Sequence, residues 1–346
     1  MSEKPVIFVL GTGGTIAATT IRGRFKSGEL TQEEIVSNTI GARRNVNIVS
    51  SNILRAHSAD LRPQDWVTFA NAIYYRLGEA DGVVVTHGTD TMHYSSTAVA
   101  FIIQKLNKPI VFTGAQSPPH MPGSDARRNM VNAIMTASVP ELAETVIVFN
   151  GKIFRACRSK KISAEDFDAF TCVGNNILGV IEQTVKLYQN HRKPSKEKPV
   201  LLNKLEPSVS LIRIHPGMDP KILSRETSAG TKGIVLEGYG LSNLPVEGSD
   251  ILKEVETVSQ SGIPVVVTSN CFIGKGWEDI ILKEIRKKQY ESSAIHVFDM
   301  LPETALVKLM WVLGQTRSME KVKEMMQTSY IGEMTDLSKV RIPDEE

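Results

Sequence analysis

The sequence has few cysteines, no long apolar run and almost no net charge. Its three cysteines in 346 residues form no CxxC pair, which argues against a disulfide scaffold and is typical of a reducing compartment. The apolar stretch after Pro5 is five residues long, too short for a signal-peptide core, and no stretch approaches the ~18 apolar residues of a membrane helix. A net charge of +2 gives no reason to expect a nucleic acid or an anionic membrane as partner. We therefore expect a soluble, cytoplasmic protein.

Motifs for nucleotides, metals and serine nucleophiles are also missing. The stretch "GTGGTI" that begins at Gly11 has Ile16 where a dinucleotide-binding GxGxxG has its third glycine, and it has no P-loop lysine. The seven histidines supply no HExxH, and "TGAQS" is not a G-x-S-x-G nucleophile elbow. His87 and His93 do not share a helix face, and we interpret His87 as a strand-end histidine hydrogen-bonded to backbone. The sequence therefore indicates neither a cofactor nor a metal.

What the sequence does contain is an alternation of strand and helix patterns. With 41% hydrophobic and 23% charged residues, the chain can bury a sizeable core. Strands that are apolar on both faces and alternate with helices predict a parallel sheet in an α/β fold. The predicted strands of the first part are Val6–Leu10, Val46–Val49, Val83–Val85, Ile110–Phe112 and Val146–Phe149, and the predicted helices are Trp66–Leu77, Ser95–Leu106 and Ala126–Ala137.

A second α/β set follows a segment rich in charge and proline. A chain of 346 residues suggests two domains. We predict an α/β domain over residues 1–190, a linker over 191–207 and a smaller α/β domain over 208–346. The basic residues of the linker could contact RNA, but a solvated connector explains them better. The predicted strands of the second domain are Ser210–Ile214, Ile234–Leu236, Val265–Thr268 and Ile295–Phe298, with helices near Asp250–Val258, Glu303–Leu313 and Glu320–Thr328.

Polar residues gather where the predicted strands end. The stretches "GTGGT", "THGTDT", "TGAQ" and "NGK" each follow an apolar strand, and open parallel sheets bind ligands at the carboxyl ends of their strands. Thr15 and Thr89 could cap helices, and each taken singly favours that interpretation. As a pair past two strand ends they also suggest hydroxyl chemistry, which needs a base to take the threonine proton. The stretch "CRSKKISAEDFDAF" offers Lys160 and Lys161 as that base, and Asp90 could orient a partner or hold a substrate ammonium.

Several stretches of the chain resemble the L-asparaginase family, especially its cytoplasmic bacterial and archaeal type. "GTGGTIA" is similar to the first signature of the family, "VVTHGTDTMHYSS" to the second and "SKKISAEDFDAF" to the lysine-bearing segment. "GIVLEGYG" and "DMLPETALVKLMWVLGQT" resemble segments of its second domain. The resemblance extends from about Val6 to about Asp336. It implies a flavodoxin-like parallel-sheet N-terminal domain followed by a smaller α/β C-terminal domain.

The resemblance also implies an activity. It implies an amidohydrolase that converts L-asparagine to L-aspartate and ammonia by double displacement, without a metal or other cofactor. Thr15 would be the first nucleophile, and Thr89, Asp90 and Lys161 would form a second, triad-like group. The spacing back from "FDAF" favours Lys161 over Lys160 as the buried lysine.

Further residues are implied to bind the substrate. Asp90 would hold the α-ammonium group of the substrate and Ser58 its α-carboxylate, while Ala115 would offer a backbone carbonyl to the leaving amide. Backbone N–H groups around Gly14 and Thr89 would stabilise the oxyanion. The resemblance also implies a homodimer or homotetramer.

The chain departs from the family pattern at three places. Phe25 stands where a loop tyrosine is usual, and it either closes the site as part of a lid or anchors the loop in the core. Ala59 follows Ser58 where an acidic or amide residue is common, so we expect Ala59 to contact the substrate through its backbone alone. The stretch "CFIGKGWEDIILKEIRKKQYESS" lacks the usual tyrosine–glycine pattern, which affects expectations about the oligomer.

Two alternatives stay open beside a stand-alone hydrolase. The chain also resembles the asparaginase-like component of the archaeal enzyme that amidates Glu-tRNA(Gln), which releases ammonia for a partner. That component carries an extra N-terminal domain, whereas the first strand here follows Pro5, which favours the stand-alone hydrolase. The other alternative is an amino-acid-binding regulatory protein on a decayed scaffold. The presence of Thr15, Thr89, Asp90 and Lys161 argues against such decay.

Overall fold

The chain divides into two units, Met1–Asn203 and Lys204–Glu346. The computed structural model describes the backbone of residues 4–21, 24–26, 29–37, 45–272 and 292–335, and the side chains of these residues except 20, 21, 24–26 and 32. The boundary between the units falls within the predicted linker, 191–207.

The first unit is built on a large sheet. Numbered in chain order, its strands are β1 (Val6–Gly13), β2 (Thr19–Ile21), β3 (Arg24–Lys26), β4 (Asn47–Ala56), β5 (Gly82–Thr86), β6 (Ile103–Gln104), β7 (Ile110–Thr113), β8 (Thr145–Phe149), β9 (Lys152–Arg155), β10 (Ser159–Lys161), β11 (Phe170–Cys172), β12 (Gly179–Ile181), β13 (Val185–Leu187) and β14 (Val200–Leu201). The main sheet has the order β13-β12-β9-β8-β7-β5-β1-β4. The pairs from β4 to β8 are parallel, and the pairs from β8 to β13 are antiparallel.

The parallel part of this sheet has a flavodoxin-like strand order. Counted among themselves along the chain, β4, β1, β5, β7 and β8 lie in the order 2-1-3-4-5. Every residue of β5, β7 and β8 is buried, as expected for strands covered on both faces. The chain leaves β1 toward β4 on one side and returns to β5 on the other, so the strand order reverses between β1 and β5. Such a reversal opens a crevice at the carboxyl ends of the two strands.

Helices cover the sheet and carry the chain between its parallel strands. The helices of the first unit are α1 (Gln32–Ser37), α2 (Pro63–Leu77), α3 (Met92–Ile102) and α4 (Ala126–Ala137). Helix α2 begins at a proline, and the Asp65 carboxylate accepts the Arg62 backbone N–H at 2.7 Å, which satisfies a donor at the helix start. Its apolar residues recur every three or four positions and are buried; they are Trp66, Phe69, Ala70, Ile73 and Leu77.

The second unit has a smaller, all-parallel sheet. Within the described residues, its strands are β15 (Val209–Arg213), β16 (Gly233–Gly238), β17 (Val265–Ser269) and β18 (Ile295–His296), and its helices are α5 (Ile222–Ser228), α6 (Ile251–Gln260), α7 (Pro302–Gln315) and α8 (Met319–Gln327). The four strands lie in chain order, β15-β16-β17-β18. With the first unit, this confirms the predicted fold class of a parallel-sheet domain followed by a smaller α/β domain.

One predicted helix is too long at its carboxyl end. The pattern predicts a helix over Ser95–Leu106, but α3 ends at Ile102. The next two residues form β6, which pairs antiparallel with β14: Ile103 lies opposite Leu201 and Gln104 opposite Val200. A long-range strand pair therefore overrides the local helical pattern. The same pair places a strand inside the predicted linker.

Candidate active site

The candidate site lies at the crevice between the carboxyl ends of β1 and β5. Gly14 follows β1 with a φ of 82°, a left-handed conformation that favours glycine. A Cβ on Gly14 would lie 2.4 Å from the Gly88 nitrogen, and a Cβ on Gly88 would lie 2.6 Å from the Ser58 Oγ. The segments of Gly14, Gly88 and Ser58 therefore pack this closely only because two of them have a glycine, with no side chain, at the contact. Thr15 and Thr89 each follow one of these glycines, so the contact brings the two threonine segments together.

Lys161 reaches this crevice from a separate hairpin, β10 paired with β11. Its Nζ donates to the Thr89 Oγ1 at 2.8 Å and to the Asp90 Oδ1 at 2.8 Å. The Lys161 side chain is 15% exposed and that of Asp90 is 65% exposed, so the hydroxyl lies inside and the carboxylate faces solvent. Neighbouring residues of a strand face opposite sides, which directs Lys160 to the other face of the hairpin. The geometry joins Thr89, Asp90 and Lys161 in one polar group.

The other residues expected at the site lie as follows. Thr15 is half-buried and begins a short 3-10 turn, Thr15–Ala17. Ser58 is buried, and its carbonyl accepts the Thr91 hydroxyl at 2.7 Å, while Ala59 is exposed. Ala115 is fully buried just after β7. Of these residues, Ser58 is joined by a hydrogen bond to the turn after β5.

Phe25 is the residue expected to belong to a lid. Phe25 lies in β3, which pairs with β2 so that Phe25 is opposite Thr20. Its side chain lies outside the described part of the chain, as do all atoms of residues 273–291 in the stretch that departs from the family pattern. The lid role of Phe25 stays a prediction.

The capping interpretation of Thr89 is not what the structure shows. The residue that precedes α3 is Thr91, and its side chain makes no capping hydrogen bond. The Thr89 hydroxyl instead donates to the Gln116 Oε1 at 3.2 Å. Thr89 therefore uses its hydroxyl for side-chain contacts in the crevice.

Two residues of this site were not anticipated, Gln116 and Asp125. Gln116 stands in "TGAQ", a stretch in which the family resemblance indicates only Ala115. Asp125 precedes α4 and resembles an ordinary helix cap in the sequence, yet it makes no side-chain capping bond. Its carboxylate accepts the backbone N–H groups of Gln116 and Ser117, each at 3.0 Å. Only the folded chain shows that this aspartate holds the loop after β7.

His87 is hydrogen-bonded to the backbone of the turn that carries Thr89. Its ring is fully buried, with the rings of Phe69 and Phe112 each centred 6.0 Å away. Burial lowers the pKa of His87 to about 4, although a hydrogen bond to the Gly88 backbone opposes the shift. The ring is therefore neutral near pH 7, and its Nδ1–H donates to the Gly88 carbonyl at 2.6 Å while Nε2 accepts the Ser95 hydroxyl at 2.9 Å. The interpretation of His87 as a backbone-bonded, strand-end histidine is confirmed.

The buried His87 predicts that stability falls in mild acid. Below its ordinary value of 6.5 the unfolded chain binds a proton at this histidine, whereas the folded chain does so only near a pKa of about 4. The stabilisation is therefore complete above pH 6.5 and is lost as the pH falls toward 4, a loss of about 3 kcal/mol. Urea unfolding at a series of pH values measures it.

The control for this prediction is a second histidine. In His87→Gln the part of the pH dependence due to the buried ring should disappear, whereas the exposed His215→Gln should keep the wild-type slope. An unchanged slope in His87→Gln contradicts the assignment.

Within the described ranges, no three or more His, Cys, Asp or Glu side chains are grouped so that they could hold a metal ion. Among the helices in that part of the chain, none has the length and apolarity needed to cross a membrane.

Comparisons with known proteins match both units. The family model described as "Asparaginase, N-terminal" matches residues 6–193, and "Glutaminase/Asparaginase C-terminal domain" matches residues 208–326. The chain is 34% identical over 331 residues to an L-asparaginase of Thermococcus kodakarensis, covering 95% of this chain and 99% of that protein. It is also 34% identical over 346 residues to a subunit of the glutamyl-tRNA(Gln) amidotransferase of Pyrococcus abyssi, covering 96% of this chain and 77% of that protein.

Solved L-asparaginase structures are also similar to this chain over nearly its whole length. The thermostable L-asparaginase from Thermococcus kodakarensis superposes with a TM-score of 0.87 at 33% identity, covering 96% of this chain and 99% of that one. L-asparaginase I from Vibrio cholerae superposes with a TM-score of 0.83 at 26% identity, covering 96% and 100%.

Proposed function

Because the chain belongs to the asparaginase family, we propose that it hydrolyses the side-chain amide of L-asparagine to give L-aspartate and ammonia. The observation that carries this proposal is the contact of Lys161 Nζ with the Thr89 hydroxyl and the Asp90 carboxylate, both at 2.8 Å. It lies at the carboxyl ends of the strands where the sheet order reverses, the place where open α/β sheets bind ligands. Thr15 follows Gly14, whose backbone packs against Gly88.

The proposed reaction is a double displacement. The Thr15 Oγ attacks the amide carbon, the carbon–nitrogen bond breaks, and ammonia leaves after taking up a proton. Water then attacks the resulting ester, the bond to the Thr15 Oγ breaks, and aspartate leaves. Thr89 and Lys161 relay protons in these steps, and Lys161 accepts a proton only while its amine is neutral. Backbone N–H groups around Gly14 and Thr89 stabilise the oxyanion, worth ~3 kcal/mol for each donor in other acyl-transfer enzymes.

Residues from three segments of the chain, those of Ser58, Asp90 and Ala115, would hold the substrate. The Asp90 carboxylate is exposed and ready to bind an α-ammonium group, while Ser58 lies beside the threonine turns and would bind the α-carboxylate. Ala59 would add a backbone contact, and the Ala115 carbonyl would accept from the leaving amide. Glutamine differs from asparagine by one methylene, which a pocket discriminates by only ~1–3 kcal/mol. We propose asparagine as the preferred substrate on the family resemblance.

A second candidate function is an ammonia-producing component of a tRNA-dependent amidotransferase. The observation that favours it is the 34% identity to the amidotransferase protein of Pyrococcus abyssi, equal to the identity with the Thermococcus kodakarensis L-asparaginase. Such a component supplies ammonia to a partner, so its hydrolysis should depend on that partner. A third candidate, a non-catalytic amino-acid-binding protein, is opposed by the joined Thr89, Asp90 and Lys161.

We expect the purified protein alone to release ammonia from L-asparagine with no added metal or nucleotide. The described residues that meet at the crevice supply hydroxyl, amine and carboxylate groups, which suffice for the proposed reaction. The measurement is coupled-enzyme detection of ammonia, with and without EDTA, beside a Thr15→Ala preparation as background. Activity lost in EDTA and restored by zinc or magnesium contradicts the cofactor-free mechanism. If the wild type releases no more ammonia than Thr15→Ala, the result contradicts the proposal of a stand-alone hydrolase and favours the other two candidate functions.

We expect Lys161→Met to remove most of the turnover and Lys160→Met to retain it. The two lysines are neighbours in β10, but only Lys161 is placed on the Thr89 hydroxyl, at 2.8 Å. Loss of a positioned proton-transfer group lowers kcat by ~10²–10⁴-fold. Steady-state kinetics on both variants decide the matter. An inactive Lys160→Met beside an active Lys161→Met would reverse the assignment.

The proposed assembly is a homodimer or homotetramer with a small-molecule substrate and without nucleic acid. It rests on the family resemblance alone, and sedimentation velocity of the purified chain tests it. A protein that sediments as a monomer while it hydrolyses asparagine would exclude this assembly.

A further inference from the structure

Gln116 connects the two parts of the candidate site that carry the lysine and the threonine. Its Oε1 accepts the Thr89 hydroxyl at 3.2 Å. Its Nε2 donates to the carbonyls of Ser163 and Asp166, each at 3.2 Å, in the turn that follows Lys161. One amide therefore links the threonine turn after β5 to the lysine-bearing segment after β10.

The orientation of this amide is fixed by its partners. Both N–H groups of Nε2 face backbone carbonyls, which can only accept hydrogen bonds. A flipped amide would place its oxygen against these two carbonyl oxygens and turn its NH₂ group toward Thr89. The Oε1 must therefore face the Thr89 hydroxyl. Because Lys161 Nζ donates to the same hydroxyl oxygen, the Thr89 hydrogen points to Gln116 while Lys161 is an ammonium.

The backbone of Gln116 is held just as firmly. Its N–H contacts both carboxylate oxygens of Asp125, at 3.1 and 3.0 Å. Asp125 is 3% exposed and also accepts Nδ2 of Asn129 at 2.9 Å. Asn129 in turn donates to the Gly114 carbonyl at 3.0 Å, two residues before Gln116. The amide of Gln116 therefore extends from a buried and hydrogen-bonded anchor.

We infer that Gln116 is a positioning residue, which sets the distance between Lys161 and Thr89 and the direction of the Thr89 hydroxyl hydrogen. This inference rests on the proposed function for its kinetic consequence. Gln116 is not placed on the substrate and exchanges no proton. In the resting state the Gln116 Oε1 is the acceptor for the hydrogen of the Thr89 hydroxyl. That hydrogen turns toward the Lys161 amine only when the amine is neutral. A misplacement of about 1 Å in such a pair can cost ~10²-fold in rate.

Two substitutions separate positioning from simple packing. Gln116→Met has a similar length but lacks all three hydrogen bonds, and we expect kcat for asparagine to fall ~10–10²-fold with little change in KM. Gln116→Glu keeps an acceptor for Thr89 but loses both N–H donors and adds a negative charge near Lys161. We expect its kcat to fall as well, with little change in KM, because the carbonyls of Ser163 and Asp166 lose their donor.

The matched control is Gln104→Met, the same change at a glutamine whose Nε2 donates to the Phe101 carbonyl at 3.3 Å, outside the described site. Its kcat and KM should be those of the wild type. Thermal melts of the three variants identify any loss that is due to unfolding. A Gln116→Met or Gln116→Glu variant with wild-type kcat overturns the inference while the proposed function stands.

A second measurement does not require turnover. In a crystal structure of Gln116→Met, the distance between the Lys161 Nζ and the Thr89 Oγ1 should be longer than the 2.8 Å of the wild type, whether or not asparagine is hydrolysed. A wild type that releases no ammonia contradicts the proposed function. An unchanged distance between these two atoms contradicts the positioning role of Gln116.

Discussion

Thr15→Ala and Thr89→Ala should each lower kcat for L-asparagine by ~10²–10⁴-fold or more, while the fold stays intact. The two hydroxyls cannot replace each other. Thr89 follows β5 and contacts Lys161 at 2.8 Å, whereas Thr15 follows β1, the other strand at the reversal point. If they serve coupled steps of one double displacement, removal of either stops turnover. Steady-state kinetics and circular dichroism of both variants check the prediction.

Controls for these variants come from the same chain. Thr136→Ala makes the same change in α4, where the hydroxyl is buried and donates to the Asn132 carbonyl at 2.9 Å. It should cost some stability and leave turnover unchanged. Thr89→Ser keeps a hydroxyl and should recover part of the rate lost in Thr89→Ala. A Thr15→Ala or Thr89→Ala protein with a tenth or more of the wild-type rate would reduce that threonine to a structural role.

The order of the two steps can be read from a trapped intermediate. In the proposed mechanism the acyl group is carried by Thr15, so Thr15→Ala with L-asparagine should show no covalent adduct. Intact-protein mass spectrometry of Thr89→Ala under the same conditions reports whether acylation precedes the need for Thr89. An adduct on a residue other than Thr15 would contradict the assignment of the nucleophile.

Strands and helices with strong local patterns could be predicted from the sequence. The runs Val83–Val85 and Ile110–Phe112 are apolar on both faces because both faces of the sheet are covered, and each lies within an observed strand. The helix Ala126–Ala137 has the predicted bounds, because its apolar residues recur every three or four positions. At the candidate site, the glycine-threonine pairs that end in Thr15 and Thr89 can be recognised in the sequence because they come just after such apolar strands.

Features that depend on distant partners could not be predicted. The end of α3 is set by β14, almost a hundred residues later, so no local pattern marks it. Gln116 resembles any polar residue after a strand until Thr89 and the turn after Lys161 are seen to share its amide. Likewise, Lys308 lies in a helix that is otherwise largely apolar, and the sequence does not show which carboxylate meets it.

That lysine gives the largest expected effect on stability. Lys308 of α7 and Glu333 are both 0% exposed, and Nζ lies 2.6 Å from the Glu333 Oε1. Nζ also donates to the carbonyls of Met326 and Thr328, at 2.9 and 2.7 Å, where α8 ends and leaves carbonyls without helical donors. Glu333 accepts backbone N–H groups of Tyr330 at 3.1 Å and of Ile331 at 2.9 Å. Both charges are thus paired and hydrogen-bonded away from water.

Lys308→Met should destabilise the protein by about 3–5 kcal/mol, because it leaves the Glu333 carboxylate and two carbonyls buried without their cation. Glu333→Leu should have a similar effect by leaving the ammonium buried. The double variant should be closer to the wild type than the sum of the two single changes, since it removes both charges. Urea unfolding of the four proteins gives this coupling. Additive losses would mean that the two groups do not stabilise each other.

The pH dependence gives an independent test of the same pair. Burial by itself raises the pKa of Glu333, but the charge and hydrogen bond of Lys308 and the backbone N–H donors outweigh it and hold the pKa below its ordinary value of 4.5. A carboxylate with a lowered pKa in the folded state stabilises fully above its unfolded value and loses that contribution as the pH falls below it. Lys308→Met removes the main attraction, so most of its loss of stability should be present at neutral pH and shrink in acid. A Lys308→Met protein that is destabilised equally at pH 7 and below pH 4 would show that packing, and not the ion pair, is what the lysine contributes.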